Sequence, residues 1–233
     1  MSAPLHTGFQ HAELDWDENG QPQSRQYGDV YFSRGSGMAE TTHVFLRPNR
    51  LAERFAALPA GERLVIGETG FGTGLSFLCA WALFERTAPA NSALHFVSVE
   101  KHPLTHDDLC RALALWPELH EQARQLLDQY VAINPGFQQF RFGRVTLTLL
   151  VGDALERLKE LDARVDAWFL DGFAPPKNPD MWQPELFEQV ARLSAPGATL
   201  ATFSSAGSVR RALKKAGFEV KRIPGLGHKW ENL

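Results

Sequence analysis

The sequence predicts an α/β fold: a mostly parallel, doubly wound sheet carrying a small β-containing extension at its N-terminal side. Three observations lead there. From about residue 63 onward, short apolar runs alternate with segments of helical spacing. Several of those runs stop at an acidic residue or a glycine-rich loop, as at Glu68, Glu100, Asp153 and Asp171. The first 50 residues show a different texture, aromatic and turn-rich. A right-handed strand–helix–strand succession builds a parallel sheet, and such sheets bind ligands beyond the carboxyl ends of their strands.

Taken in order, Glu18-Asn19-Gly20-Gln21-Pro22 is a turn signal, and its flanks, residues 12–16 and 23–27, are expected to pair as a hairpin. Val30-Tyr31-Phe32 is a further short strand, and residues 41–58 have helical spacing. Strands are expected at 63–66, 94–99, 144–150, 165–170, 198–203 and 218–223. Helices are expected at 75–84, 104–115, 117–130, 154–161, 184–193 and 208–216, the last closed by Gly217. This divides the chain into an extension, residues 1–58, packed on a core domain, residues 59–233.

Composition narrows the class. A chain of 233 residues, 44% hydrophobic and 22% charged, has enough apolar mass for a sizeable core and too little polarity for wholesale disorder. Cys79 and Cys110 form no C-x-x-C pair and no disulfide framework, which fits a reducing compartment. The N-terminus lacks a basic and apolar leader, and no apolar run nears the ~18 residues that span a bilayer. The expectation is a cytoplasmic protein with no membrane partner. The net charge of −3 is a cancellation. Residues 207–233 hold seven Lys/Arg against two Glu, a local +5, so residues 1–206 carry −8. That basic end is either a solvated surface or a patch for a nucleic-acid backbone.

The first strand runs into Glu68-Thr69-Gly70-Phe71-Gly72-Thr73-Gly74. Alternate glycines let a backbone bend tightly and approach a ligand, and the following helix aims its N-terminal N–H groups at the same place. The spacing does not make G-x-G-x-x-G, because Leu75 or Phe77 falls where the third glycine belongs, and no lysine follows to make a phosphate-binding P-loop. The leading carboxylate suits a ligand bearing an ammonium or hydroxyls. Glu100, followed by Lys101, closes the second strand, and Gly152-Asp153 closes the third. A carboxylate accepts two hydrogen bonds from a vicinal diol. A lone acid at a strand end is also an ordinary helix cap.

After the fourth strand comes Asp171-Gly172-Phe173-Ala174-Pro175-Pro176-Lys177-Asn178-Pro179-Asp180-Met181-Trp182. Prolines stiffen it, Phe173, Met181 and Trp182 offer apolar or stacking faces, and Asp171, Lys177, Asn178 and Asp180 offer polar contacts. Tyr31 and Phe32 are either core residues or part of a segment lying over the ligand pocket. His102 and His106 stand four apart without a flanking carboxylate motif, so they are taken as a helix surface and no metal is expected.

The pattern E-x-G-x-G-x-G resembles the first motif of class I S-adenosylmethionine-dependent methyltransferases, which are Rossmann-like. The 171–182 segment closely resembles the signature of the MnmC methyltransferase domain, also found free-standing as MnmD. Residues 29–33, 34–46 and 198–211 are similar to that family too, so the resemblance spans roughly residues 14–229. It implies S-adenosyl-L-methionine as cofactor, held by Glu68, Gly70, Phe71, Gly72, Thr73, Gly74, Glu100, Lys101, Gly152 and Asp153. It implies methylation of the 5-aminomethyl group of 2-thiouridine at the wobble position of tRNA. On that footing Asp171 is the expected catalytic residue, holding or deprotonating the amine. Phe173, Lys177, Asn178, Met181 and Trp182 are the expected substrate contacts, with Phe173 and Trp182 stacking on the base. The tRNA is the expected partner, beside an FAD-dependent oxidase domain that is either fused or separate. The short segment after residue 223 leads us to expect a domain cut near its last strand. Alternatives are an N-methyltransferase for a small amine or a protein, and a non-catalytic RNA- or cofactor-binding module.

Overall fold

The computed structural model describes residues 10–33, 36–224 and 231–232. Arg34 and Lys229, which belong to the motif and charge readings above, lie outside them.

The centre is a six-stranded sheet in the order β6-β7-β5-β4-β8-β9, with β4 (Arg63–Thr69), β5 (Ala93–Glu100), β6 (Gly136–Phe142), β7 (Val145–Val151), β8 (Val165–Leu170) and β9 (Ser194–Thr202). All neighbours are parallel except β6 and β7. The central strand β4 is buried from Leu64 to Thr69, as a strand covered on both faces must be, and Leu64-Val65-Ile66 supply its apolar run. The order reverses between β4 and β8, so the carboxyl ends of β4, β5, β7 and β8 face the switch-point crevice.

Helices cover both faces. α3 (Leu75–Thr87) is apolar almost all round, with Phe77, Leu78, Ala80 and Phe84 fully buried, and it packs with α4 (His106–Leu113) and α5 (His120–Gln129) over one face. α6 (Ala154–Glu160), α7 (Pro184–Leu193) and α8 (Gly207–Lys215) cover the other. Their boundaries follow local chemistry. The Thr105 hydroxyl caps α4 through the Asp108 N–H, Asp153 caps α6, and Pro184 opens α7 where no N–H is needed. Gly217 closes α8 as expected: the Phe218 N–H reaches Leu213 O at 3.1 Å and the Gly217 N–H reaches Lys214 O at 3.1 Å.

The first residues form an antiparallel ladder of β1 (Leu14–Trp16), β2 (Pro22–Ser24) and β3 (Asp29–Val30), then α1 (Gly37–Thr41), a π-helical turn (Thr42–Leu46) and α2 (Leu51–Ala56). Buried Asn49 stitches this part to the sheet: its amide donates to Trp168 O, and its Oδ1 accepts from the Thr199 hydroxyl at 2.6 Å. Arg54 donates to Asp166 O and to Thr199.

Two expectations about strands need correction. Residues 218–222 are not a sheet strand. Only Ile223–Pro224 (β10) pairs, with Glu231–Asn232 (β11), in a separate ladder. The apolar alternation there has another cause, since Phe218 and Val220 lean on the α7–α8 core while Lys221 and Arg222 face solvent. Conversely, β6 was not anticipated. It is an antiparallel edge strand whose Phe140 and Phe142 point inward between exposed neighbours.

Candidate active site

A cavity of about 410 Å³ opens at the carboxyl edge of the sheet, walled by the glycine loop, the ends of β5, β7 and β8, and parts of 27–33 and 37–45 in the extension. The size suits a nucleoside-sized ligand with room beside it.

The glycine loop folds back over β5: the Gly70 and Phe71 N–H groups both donate to Val99 O, at 2.9 and 3.1 Å. Gly70, Gly72 and Thr73 line the cavity. Phe71 reaches the wall, but its ring is 3% exposed and stacks at 14° on Tyr130, so it serves the loop chiefly as an anchor. Gly74 is the N-cap of α3 and brings no capping side chain, while Leu75 and Ser76 of the first turn line the cavity. That terminus suits a carboxylate.

Glu100 stands at the end of β5. Its Oε2 accepts the Gly72 N–H and its Oε1 the His102 N–H, both at 2.8 Å. Each oxygen keeps a second lone pair, and the carboxylate, fixed by two backbone bonds, is ready for a diol. Lys101, Gly152 and Asp153 also line the cavity. Asp153 caps α6, its Oδ1 accepting the Leu155 N–H, and its Oδ2 pairs with Lys101 Nζ at 3.2 Å on the cavity wall.

Glu68 is placed differently from the expectation. It lies inside β4, 1% exposed, and does not line the cavity. Its Oε2 accepts the Ser98 hydroxyl at 2.6 Å, and Ser76 hydrogen-bonds it as well. Burial, followed by repulsion from Asp171, pushes its carboxyl well above the ordinary range. It therefore supports the loop from below as a neutral acid.

On the strand next to β4, Asp171 follows β8, beside the glycine loop. Its Oδ1 accepts the Gly172 N–H at 2.8 Å, and its carbonyl accepts the Thr69 hydroxyl at 2.9 Å. Phe173, Asn178 and Met181 join it on the wall. Trp182 does not: it is 8% exposed, donates its Nε1–H to Phe173 O at 2.9 Å and packs edge-on to Phe203. It holds the loop rather than stacking on a ligand. Lys177 is not on the wall either, because its ammonium is turned away to Asp29 and Gly28 O.

The partners that the aromatic wall does use come from the extension. Phe173 sits between Tyr27, with ring centroids 4.8 Å apart, and Tyr31, at 5.1 Å and 75°. Burial raises both tyrosine pKa values, so both stay neutral phenols. Tyr31 is thus on the pocket, and Phe32 is mostly buried beside it. His102 is not a helix-surface residue: it precedes α4, lines the cavity and meets Gln10 O through Nδ1. Among the described residues, no group of three or more His, Cys, Asp or Glu could hold a metal ion, and no helix is long and apolar enough to cross a membrane.

These groups fit S-adenosyl-L-methionine: a helix N-terminus for its carboxylate, the Glu100 carboxylate for its ribose, and Val99, Ala154 and Leu155 as an apolar slot beside Asp153 for its adenine.

The comparisons with known proteins agree. The chain is 71% identical over 232 residues to the tRNA 5-methylaminomethyl-2-thiouridine biosynthesis bifunctional protein MnmC of Stutzerimonas stutzeri, covering 99% of this chain and 35% of that protein. It is 70% identical over 227 residues to the protein of the same name from Pseudomonas aeruginosa, covering 97% and 35%. The chain thus spans about a third of the length of these curated relatives. The crystal structure of MNMC2 from Aquifex aeolicus superposes with a TM-score of 0.74 over 97% of this chain and 70% of that one, at 24% identity, which shows a shared fold. A family model described as S-adenosyl-L-methionine-dependent methyltransferase matches residues 117–233, half of the chain, and this chain belongs to that family.

Proposed function

We propose that the chain methylates the primary amine of 5-aminomethyl-2-thiouridine at the wobble position of tRNA, in the cytoplasm, giving 5-methylaminomethyl-2-thiouridine. The observation that carries this reading is the 171–182 loop. It begins beside the glycine loop, with Asp171 O accepting the Thr69 hydroxyl, and brings Asp171 and Phe173 to the cavity wall. The relatives at 70–71% identity are named for the biosynthesis of that same modified nucleoside. Their further length, and the word bifunctional in their name, support an oxidase partner, fused or separate, that prepares the amine.

When bound, S-adenosyl-L-methionine supplies an electrophilic methyl group on a sulfonium. The chain's part is to present a neutral amine to it. A primary alkyl amine is mostly protonated near neutral pH and has no lone pair to donate in that form. The Asp171 carboxylate receives the amine and takes the proton from its nitrogen. A carboxylate alone would stabilise the ammonium, so the site also has to be poor in water. Tyr27, Tyr31 and Phe173 exclude water on the acceptor side and offer flat faces to an unstacked base. Neutral Glu68 places no second charge against Asp171. Most of the acceleration comes from holding the amine in line at the cavity.

The test is incubation with labelled donor and tRNA carrying 5-aminomethyl-2-thiouridine, followed by nucleoside analysis. Label is expected in 5-methylaminomethyl-2-thiouridine. Asp171→Asn should lower the rate by ~100-fold or more while cofactor affinity holds. Equal transfer to free small amines or to protein, or full turnover and an unchanged pH profile in Asp171→Asn, overturns the reading.

A further inference from the structure

The 171–182 loop is not held by its own domain alone. Asp29, on β3 of the extension, grips it at two points. Its Oδ2 accepts the Ala174 N–H at 3.2 Å, and its Oδ1 pairs with Lys177 Nζ at 3.2 Å. Lys177 donates in addition to Gly28 O, the residue before Asp29. Just before these anchors, Phe173 is clasped by Tyr27 and Tyr31, which flank Asp29 in sequence. Three consecutive alternate residues of one short segment therefore bind one short stretch of loop, 145 residues away in sequence. Asp171 and Phe173 are immediately upstream of the gripped amide.

We propose that Asp29 is a positioning residue for the acceptor subsite: it fixes the 171–177 backbone so that Phe173 and the Asp171 carboxylate face the cavity. The extension and the loop then form one wall, whose flat tyrosine and phenylalanine rings take a planar base bearing the amine. Asp29 acts through Ala174 and Lys177. This inference rests on the proposed methylation, but its physical core, the grip on Ala174, does not.

The experiment has two arms on the full chain. In the first, backbone hydrogen exchange is followed at Ala174 in wild type and in Asp29→Ala. Loss of the acceptor should speed exchange there about 10-fold or more, whereas exchange on the buried strand β4 should not move. In the second, methylation of amine-bearing RNA is measured beside the affinity for S-adenosylhomocysteine. Asp29→Ala should lower kcat/KM for the RNA about 10-fold or more, as expected for losing charge-assisted bonds. The cofactor dissociation constant should stay within about twofold. Asp29→Asn keeps an oxygen for the Ala174 N–H and should recover part of the loss. Adding Lys177→Met to Asp29→Ala should cost less than the two single effects combined, because both remove the same pair. Unchanged exchange at Ala174, or a cofactor affinity that falls as far as RNA turnover, overturns the proposal. If wild type itself methylates no such RNA, the functional reading fails, and exchange at Ala174 alone decides the positioning role.

Discussion

Gly74→Ala offers the sharpest quantitative test of how the cofactor loop is built. Gly74 has φ +71° and ψ 10°, the left-handed region. An alanine there pays about 1 kcal/mol for the backbone alone. A Cβ would also stand 2.8 Å from Phe71 Cζ and 3.2 Å from its Cε1. Phe71 cannot swing aside cheaply, because its ring is wedged against Phe77 and Tyr130 in the core. Overpacking of this kind costs about 1–3 kcal/mol more, so the sum is roughly 2–4 kcal/mol. Gly217 is the internal control. It too has a positive φ, +99°, but nothing lies within 4 Å of its would-be Cβ. Gly217→Ala should therefore pay only the backbone share, about 1 kcal/mol. Urea unfolding of wild type and both variants, with equal slopes, measures the difference directly. Because Phe71 anchors the loop, Gly74→Ala should also weaken S-adenosylhomocysteine binding, and Gly217→Ala should not. If Gly74→Ala loses no more stability than Gly217→Ala, the account of a ring-backed loop is wrong.

Three further outcomes are expected. Glu68 has a folded-state pKa raised above the unfolded value, so it favours the fold most below the ordinary carboxylate range and loses that contribution as pH rises through its folded value. Glu68→Gln, which keeps an acceptor for Ser98, should flatten the fall of the melting temperature with rising pH; an identical pH slope refutes a neutral Glu68. Asp153→Ala removes the cap of α6 and should cost about 1 kcal/mol in chemical unfolding, with weaker cofactor binding measured by calorimetry in the same variant. On α8, Val209 and Leu213 are buried while Arg211, Lys214 and Lys215 are exposed, so the outer face is basic. Lys214→Glu with Lys215→Glu should weaken tRNA binding and flatten its salt dependence, as read by a titration at several salt concentrations; an unchanged slope assigns that face to solvent alone.

The parallel sheet was legible because it obeys local rules. β5, β7 and β8 are largely apolar runs, and the starts of α4, α6 and α7 carry a cap or a proline at a readable place. The carboxylates at the ends of β5, β7 and β8 do come together around one cavity. The errors came where one pattern has two physical causes. An acid before a glycine loop can face a ligand or sit beneath the loop, and Glu68 does the latter because the hydroxyls of Ser98 on the neighbouring strand and Ser76 on α3 donate to it there. An aromatic at a loop end can stack on substrate or brace the loop, and Trp182 braces it through Phe173 O. β6 escaped notice because its inward Phe140 and Phe142 are separated by polar residues at an edge open to solvent. The roles of Tyr27 and Asp29 were beyond reach for a different reason. Their partners lie about 145 residues downstream, and no local spacing encodes a contact of that range.

That separation has a consequence for how the protein is made. The segment that closes the cavity is synthesised first, yet its anchors come late. Asn49 waits for Trp168 and Thr199, 119 and 150 residues on, and Asp29 waits for Ala174. At ~5–20 residues per second, 150 residues take on the order of 10–30 s on the ribosome. During that interval Phe55 can already meet Phe84, and Phe32 can meet Trp116, but Tyr27 and Tyr31 lack Phe173. The cavity is therefore closed by docking of an early segment onto a late one, and its wall is complete only once residues from Tyr27 to Phe203 have emerged.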